Sequence, residues 1–194
     1  MQTLLIATWN RHKTREIGQM LGAGWDVRDL ASLPHAPKVE ETGATFEENA
    51  TLKALTISRI FTGLVLADDS GLEVDALSGA PGVHSARFAG PNASDAENRF
   101  LLIGKLRSFG GNEFPARFRC VMVLASRGEL LGSFTGIIHG SIILEERGES
   151  GFGYDSVFVP AGYAETFGEL QSEIKNSLSH RGRALAKVVE FFRS

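Results

Sequence analysis

The length, composition and charge of the chain already limit what it can be. Its 194 residues suffice for one large domain or a bilobed one with a substantial core. The chain is 43% hydrophobic and 22% charged, as is typical of a globular protein and not of a disordered or fibrous one. Because non-specific binding to DNA or RNA needs a basic surface, the formal net charge of −3 argues against a nucleic-acid partner but leaves room for a small anionic ligand.

Cysteine usage and hydropathy predict the cellular setting. The single cysteine, Cys120, cannot form an internal disulfide and lies in the apolar run 118–124, where a buried structural thiol is expected. No stretch reaches the length of a membrane span, and the first residues lack the basic region and cleavage site of a secretory signal. We therefore expect a cytoplasmic protein without a membrane partner.

The first strand, loop and helix predict an anion site. Residues 3–7 form an apolar run, residues 8–13 are polar, and a helix that carries Ile17 ends at Gly22. The N–H groups and dipole at the start of this helix favour an anion, and Lys13 adds a full positive charge. The glycines of a Walker loop are absent, so Lys13 could equally be a solvated residue at the helix start.

An acidic loop precedes the second helix. Residues 25–30 alternate like a strand, and the loop 31–44 brings Glu40 and Glu41 to a capping box that opens a helix ending near Thr62. Lys53 lies on this helix, on the same face as Asn49. The pattern predicts a second cationic position near the acidic loop, with an ordinary solvated surface as the alternative.

Two adjacent carboxylates, Asp68 and Asp69, follow the apolar residues 64–67, which read as a short buried strand. The two side chains repel each other, and apolar packing raises the free energy of ionising both. A divalent cation would remove that penalty, because hard cations prefer carboxylate oxygens. The alternative is an Asx-type turn, in which Asp69 or Ser70 caps the local backbone.

The second half of the chain predicts a hairpin and an aromatic loop. Residues 94–97 form a capping box that opens a helix, and residues 116–125 and 130–144 read as a long antiparallel hairpin that forms a second lobe or an oligomer contact. Glycines alternate with aromatic residues in 148–155, which favours close approach to a flat ligand, although an ordinary hairpin loop fits as well.

The last two predicted helices carry three polar candidates. Lys175 lies in a short helix from about Phe167 to Leu178, and His180 and Arg181 open the final helix. A His-Arg pair at a helix start is suited to carbonyl oxygens or phosphates, whereas the alternative is two exposed residues after a capping Ser179.

Seven short motifs, spread over nearly the whole chain, together resemble the inosine triphosphate pyrophosphatase family. In chain order they are Thr8-x-Asn10-x-x-Lys13-x-x-Glu16; Glu41-Thr42-Gly43-x-Thr45-Phe46-x-Glu48-Asn49-Ala50; Lys53-Ala54; Ala67-Asp68-Asp69-Ser70-Gly71-Leu72-x-Val74-Asp75-Ala76-Leu77; Pro81-Gly82-Val83-x-Ser85-Ala86-Arg87; Gly151-Phe152-Gly153-Tyr154-Asp155; and Ser179-His180-Arg181-Gly182-x-Ala184-Leu185. Three positions depart from the usual pattern. His12 stands where glycine is common, Ser156 replaces a proline, and Gly168 stands where alanine is usual in a helix.

The resemblance implies the fold and the reaction. The implied fold is α/β, with one domain over residues 1–194, two lobes around a long mixed sheet flanked by helices, and the site in a central cleft. The second lobe would include the 116–144 hairpin, and the protein would be a homodimer. The implied reaction is hydrolysis of ITP, dITP or XTP between the α- and β-phosphates, which gives a monophosphate and pyrophosphate with Mg²⁺ as cofactor.

The resemblance also implies roles for single residues. Asp69 would be the base that activates water, and Mg²⁺ would be held by Glu40 or Glu41 together with Asp68 or Asp69. The triphosphate would be neutralised by Lys13 and Lys53, and further substrate contacts would come from Thr8, Trp9, Asn10, Arg11, His12 and Ser70. Lys175 would contact either the phosphates or the base. Phe152 would stack on the base, with Gly153, Tyr154 and Asp155 at its edge and His180 and Arg181 donating to its oxo groups.

Three other functions compete with this interpretation. A septum-inhibitor-like pyrophosphatase shares a related architecture but prefers pyrimidine or other modified nucleotides. A regulatory protein would bind a nucleotide without hydrolysing it. A phosphatase that uses Asp68 and Asp69 would release inorganic phosphate through a covalent intermediate.

Overall fold

The computed structural model describes residues 2–193 and gives a mixed α/β architecture. The strands are β1 (Gln2–Ile6), β2 (Trp25–Asp29), β3 (Leu64–Val74), β4 (Glu113–Ser126), β5 (Glu129–Ile143) and β6 (Phe158–Pro160). The helices are α1 (Arg11–Leu21), α2 (Phe46–Ser58), α3 (Asp95–Arg107), α4 (Ser172–Leu178) and α5 (His180–Phe191). None of the described helices is both long enough and apolar enough to cross a membrane.

The six strands form one mixed sheet in the order β2-β1-β3-β4-β5-β6. Strand β1 pairs in parallel with β2 and with β3, and β5 pairs antiparallel with β6. Parallel neighbours need crossover connections, which α1 and α2 supply, whereas β4 and β5 are joined by a two-residue turn. The α/β class with a mixed sheet, predicted from the sequence, is confirmed.

The carboxylate pair lies inside a strand and not at its end. Strand β3 continues through Asp68 and Asp69 to Val74 and is therefore longer than the predicted strand over residues 64–67. The alternative of an Asx-type turn at Asp69 or Ser70 is wrong. Both carboxylates are buried. Successive side chains of a strand point to opposite sides, so the two carboxylates have different partners.

The chain divides into two compact units. Unit 1 comprises residues 1–69, 120–136 and 181–194, and unit 2 comprises residues 70–119 and 137–180. Each unit has its own buried apolar cluster, since Leu4, Leu66 and Leu185 belong to the cluster of unit 1 and Leu72, Leu102 and Phe158 to that of unit 2. The single-domain interpretation stays a prediction.

Helix caps agree with the sequence only in part. The Ser94–Glu97 capping box is confirmed with both of its hydrogen bonds. Before α2, the Thr45 side chain accepts from the Glu48 amide as predicted, but Glu48 Oε2 accepts from the amide of Ala44 and not from that of Thr45. Helix α2 also ends at Ser58, four residues before the predicted end.

Backbone geometry explains the hairpin turn and the position of Gly168. Arg127 and Gly128 both have positive φ (53° and 81°), as a two-residue hairpin turn requires, and β5 begins directly after them. Helix α4 begins at Ser172, so Gly168 lies outside it, contrary to the prediction. A Cβ at Gly168 would lie 2.8 Å from the Arg147 carbonyl oxygen and 3.0 Å from Ser156 Cα, so close backbone packing explains this glycine.

Candidate active site

Asp68 is the centre of a buried network in unit 1. Its Oδ1 accepts from the ammonium of Lys13, and its Oδ2 accepts from Arg181 Nε at 3.0 Å. The Cys120 thiol also donates to Oδ2, at 3.2 Å. Arg181 in turn donates through Nη1 to Glu16 at 2.7 Å. Two cations and two carboxylates therefore neutralise one another in this network.

The local structure explains how these side chains reach Asp68. Lys13 and Glu16 are three residues apart on α1, so they share one face of that helix. Arg181 is the second residue of α5, and its side chain is 3% exposed. Cys120 lies in the buried part of β4 and is the structural thiol predicted from the sequence.

The electrostatics of this network keep Asp68 ionised. Burial alone would raise the pKa of Asp68, but the positive charges of Arg181 and Lys13 outweigh it and hold the pKa well below its usual value. Burial also works against the charge of Arg181, and the negative charges of Asp68 and Glu16 raise the pKa of Arg181 despite it. Burial raises the pKa of the Cys120 thiol, so this thiol stays protonated.

Asp69 has different partners in the same unit. The Lys53 ammonium donates to Asp69 Oδ1 at 3.0 Å, to Glu41 Oε1 at 2.7 Å and to the backbone carbonyl of Asp68 at 2.8 Å. An ammonium has three protons, so these acceptors match its donors. Burial alone would lower the pKa of Lys53, but the negative charges of Asp69 and Glu41 outweigh it and raise this pKa.

One oxygen of Asp69 stands apart from these bonds. Asp69 Oδ2 is buried and has no hydrogen-bond partner among residues 2–193. Burial raises the pKa of Asp69, and the positive charges of Lys53 and Lys13 offset this only in part, while the negative charge of Glu41 adds to it. A carboxylate with a raised pKa and an unpartnered oxygen is suited to accept a proton or to bind a cation.

The chemistry of this donor set fits a hard cation. Glu41 and Asp69 already bind one positive charge between them, the ammonium of Lys53. Asp69 Oδ2 is a further oxygen that could coordinate a cation. Within residues 2–193, no three His, Cys, Asp or Glu side chains are grouped closely enough to hold a metal ion alone. Mg²⁺ commonly takes only one or two protein carboxylates and completes its shell with water and substrate phosphate oxygens.

The loop before α1 is capped as a helix start. Asn10 is the N-cap, and its side-chain oxygen accepts from the amides of His12 at 2.9 Å and Lys13 at 3.4 Å. The Asn10 amide donates to Thr8 Oγ1 at 3.1 Å, which orders the loop. Three further predicted site residues are exposed, namely Trp9, Arg11 and, in the acidic loop, Glu40.

Unit 2 holds the aromatic loop, residues 151–155. Its centre is the buried carboxylate of Asp155, whose Oδ2 accepts from Lys175 Nζ at 2.7 Å and from the Phe152 amide at 2.8 Å. Lys175 Nζ also lies 5.3 Å from the centre of the Phe152 ring. A Cβ at Gly151 would come within 2.1 Å of Asp155 Oδ2, so the loop needs glycine there.

Two further predicted residues of unit 2 are fixed by packing. The Tyr154 hydroxyl donates to the Ser85 carbonyl at 2.8 Å, and burial raises the pKa of this phenol, as does the negative charge of Asp95. His180 is buried and its ring stacks on Phe118, with centroids 4.8 Å apart and an angle of 13° between the rings. Ser70, the first residue of unit 2, is half-buried in β3.

Sequence reasoning missed several residues of these networks. Glu16 is part of a quoted motif but received no role, although its spacing from Lys13 places both on one helix face. Asp95 and Arg99 contact the aromatic loop from α3, and no local pattern links residues more than fifty positions apart. Only a three-dimensional structure reveals these contacts.

Comparison with known proteins gives concordant matches over nearly the whole chain. A model of the Ham1 family matches residues 4–191. A dITP/XTP pyrophosphatase from Exiguobacterium sp. (strain ATCC BAA-1283 / AT1b) is 49% identical over 187 residues, which are 95% of this chain and 94% of that protein. The dITP/XTP pyrophosphatase of Geobacter sulfurreducens is 49% identical over 188 residues, with 96% and 94% covered.

Solved structures agree with the sequence matches. The Staphylococcus aureus Ham1 protein superposes with a TM-score of 0.86 at 36% identity, covering 99% of this chain and 98% of that one. A HAM1 protein from Coxiella burnetii gives a TM-score of 0.88 at 36% identity, with 100% and 99% covered. These matches confirm the resemblance predicted from the motifs, and the chain belongs to the Ham1 family.

Proposed function

We propose that the chain hydrolyses non-canonical purine nucleoside triphosphates such as dITP, XTP and ITP to the monophosphate and pyrophosphate. The observation that carries the proposal is the contrast between Asp68, which is fully engaged by cations, and Asp69, which keeps a buried oxygen without a partner. The names of the relatives, dITP/XTP pyrophosphatase, support this substrate class.

Asp69 is the proposed base. An ordinary aspartate has a pKa of about 3.9 and is a weak base at neutral pH, and the burial of Asp69 moves its pKa in the useful direction. Its Oδ2 would accept a proton from the attacking water as the water oxygen bonds to the α-phosphorus and the bond from that phosphorus to the leaving pyrophosphate oxygen breaks. Asp68 instead holds Lys13 and Arg181 in place and stays ionised.

We further propose that the reaction depends on Mg²⁺. Asp69 and Glu41 would hold the ion. Glu40, which precedes Glu41 in the chain, and Asp68, which precedes Asp69, are the other proposed ligands. Bound there, the ion would polarise water and neutralise phosphate charge. Lys53 now occupies the position between the two carboxylates, so its ammonium would move towards the phosphates when the site fills.

The triphosphate is proposed to bind to the cations of unit 1. Lys13, Lys53 and the amides at the start of α1 would neutralise the phosphates. The other proposed phosphate contacts are Thr8, Trp9, Asn10, Arg11, His12 and Ser70.

Unit 2 is proposed to recognise the base. Phe152 would stack on it, Gly153, Tyr154 and Asp155 would fix its edge, and Lys175 would contact base or phosphate. His180 would donate to the oxo groups, and so would Arg181, which follows it in the chain and belongs to unit 1. Hypoxanthine and xanthine accept a hydrogen bond at O6, whereas adenine presents an amino donor there, so a donor-lined pocket would reject adenine by leaving buried polar groups unpaired.

The test is an assay with ITP, dITP, XTP, GTP and ATP in which pyrophosphate and phosphate are measured separately, with and without Mg²⁺. The proposal expects one pyrophosphate per turnover from the first three substrates, little from GTP and ATP, and no turnover in excess chelator. Release of phosphate would favour the phosphatase, and nucleotide binding without products would favour the regulator.

Two further properties belong to the proposal. A homodimer follows from the family resemblance and is tested by sedimentation at several concentrations. A cytoplasmic location is consistent with the single, buried Cys120 and is tested by cell fractionation.

A further inference from the structure

The aromatic loop is held by two side chains of α3 that no step above uses. The Gly153 amide donates to Asp95 Oδ2 at 2.7 Å, and the Gly153 carbonyl accepts from Arg99 Nη1 at 2.8 Å. Asp95 and Arg99 are four residues apart, so they lie one above the other on the same face of α3. Both backbone polar groups of one loop residue are therefore bound by a single helix.

Gly153 stands between the two aromatic residues of the loop. Its amide belongs to the peptide plane that follows Phe152, and its carbonyl to the plane that precedes Tyr154. Its φ of 62° lies in the left-handed region that glycine adopts most readily. Fixing both planes thus fixes the backbone from which the Phe152 ring projects.

Arg99 is itself held from a second side. Its Nε donates to Glu146 Oε2 at 2.7 Å, and the Arg99 side chain is only 18% exposed. The Ser156 hydroxyl donates to the same Glu146 oxygen at 3.2 Å. Ser156 is one of the positions at which this chain departs from the family pattern, and a proline there could not donate this bond.

We infer that Asp95 and Arg99 are positioning residues for the purine base, since they fix the Gly153 peptide planes and so hold the Phe152 ring in the orientation needed for stacking. The inference rests on the proposed function of the aromatic loop. Asp95 and Arg99 would therefore affect the affinity for the base, whereas the hydrolysis step would depend on residues of unit 1. Arg99 has the larger share, because its bonds are more shielded from water than those of the exposed Asp95.

The decisive variants are Arg99→Ala and Asp95→Ala, compared with Arg99→Lys and Glu97→Ala. Loss of a charged hydrogen bond in a shielded position predicts that Arg99→Ala raises the KM for ITP about tenfold, and Asp95→Ala about threefold, with kcat changed less than twofold. Arg99→Lys keeps one donor and should fall between wild type and Arg99→Ala. Glu97→Ala disrupts the capping box of the same helix without touching the loop, so it should lower the melting temperature and leave KM unchanged.

A binding measurement separates positioning from general damage. Calorimetry should show that Arg99→Ala weakens binding of inosine monophosphate by a similar factor, while the affinity for inorganic tripolyphosphate, which has no base, stays at the wild-type value. Unchanged affinity for inosine monophosphate, or an equal loss for tripolyphosphate, overturns the inference. So does an equal rise in KM for Glu97→Ala.

The same binding measurement distinguishes the inference from the function on which it rests. If Arg99→Ala weakens the binding of inosine monophosphate but the wild type releases no pyrophosphate from ITP, the proposed function fails and the positioning role stands. If the wild type releases pyrophosphate and Arg99→Ala has the wild-type KM and affinity, the positioning role alone fails.

Discussion

The charged group of unit 1 and the aromatic loop of unit 2 are built in different ways. In unit 1, buried side chains neutralise one another directly, as Asp68 does with Lys13 and Arg181. In unit 2, the loop is held through its backbone, since the amides of Phe152 and Gly153 donate to Asp155 and Asp95. In the proposed function, unit 1 supplies fixed charges for the chemistry, whereas unit 2 holds the base-recognition loop through several backbone hydrogen bonds.

Within unit 1 itself, adjacent carboxylates have opposite properties. The pKa of Asp68 is lowered by its cations, while burial raises the pKa of Asp69. A lowered pKa stabilises the folded state at neutral pH, and a raised pKa in an acid destabilises it. Asp68 therefore contributes to stability, whereas Asp69 is the proposed base.

The largest expected effect on stability comes from Asp68→Asn. Removing this charge breaks the buried ion pair between Asp68 and the guanidinium of Arg181, and breaking a buried ion pair typically lowers the free energy of unfolding by about 3 kcal/mol or more. Urea unfolding at pH 7 measures the loss. Asp26→Asn, in a surface pair with Arg28, is the control and should unfold like the wild type. A wild-type midpoint for Asp68→Asn would contradict the role given to the network.

The same two proteins give a prediction for pH. Because the pKa of Asp68 is lower in the folded state, its stabilising contribution is complete above the unfolded-state pKa of about 3.9 and is lost as the pH falls below that value towards the folded-state pKa. The difference in unfolding free energy between wild type and Asp68→Asn should shrink from pH 6 to pH 3. A difference that stays constant over this range would show that Asp68 acts by packing alone.

A smaller effect tests the backbone packing of unit 2. Gly168 donates its amide to the Asp155 carbonyl, and a side chain there would meet backbone atoms of Arg147 and Ser156. Gly168→Ala should therefore lower the free energy of unfolding by about 2 kcal/mol. Gly104→Ala is the matched control, because a Cβ at this helical position meets nothing within 4 Å and should raise stability by about 0.5–1 kcal/mol. Equal effects of the two substitutions would refute the packing argument.

The smallest of these effects concerns the aromatic ring. Loss of a base–aromatic stack amounts to about 1–3 kcal/mol, so Phe152→Ala should raise the KM for ITP about tenfold and change kcat little. Steady-state kinetics with ITP measures both constants, and Phe109→Ala, an exposed aromatic residue outside the loop, is the control. A fall in kcat with an unchanged KM would show that Phe152 acts in the hydrolysis step, and it would contradict the proposed division between chemistry in unit 1 and base recognition in unit 2.

Sequence patterns predicted much of the fold where the causes are local. The first strand, the turn at Arg127–Gly128 and the Ser94 cap follow from hydropathy, turn chemistry and capping spacing. The continuation of β3 through Asp68 and Asp69 could not be predicted in this way. Asp68 reaches Arg181, which lies 113 positions later, and only such distant cations make two buried carboxylates in a strand tolerable.

The candidate site shows the same limit. The motifs contain the residues of both units, but they do not distinguish the partners of Asp68 from those of Asp69. Nor does the capping-box spacing show that Glu48 Oε2 accepts from the Ala44 amide. Gly168 was interpreted as a weak helix residue, because its close neighbours, Arg147 and Ser156, are distant in sequence. Contacts between residues distant in sequence therefore determine the partners of each carboxylate and the packing of Gly168, and a local sequence pattern does not contain this information.

The most direct test of the account is the turnover of Asp69→Asn with dITP and Mg²⁺. General-base catalysis contributes at least about a hundredfold, so kcat should fall by that factor or more while nucleotide binding persists. Because the raised pKa makes the Asp69 charge unfavourable in the folded state, the variant should melt no lower than the wild type, which excludes unfolding as the cause. Turnover near the wild-type rate in a folded, nucleotide-binding Asp69→Asn variant would contradict the assignment of Asp69 as the base.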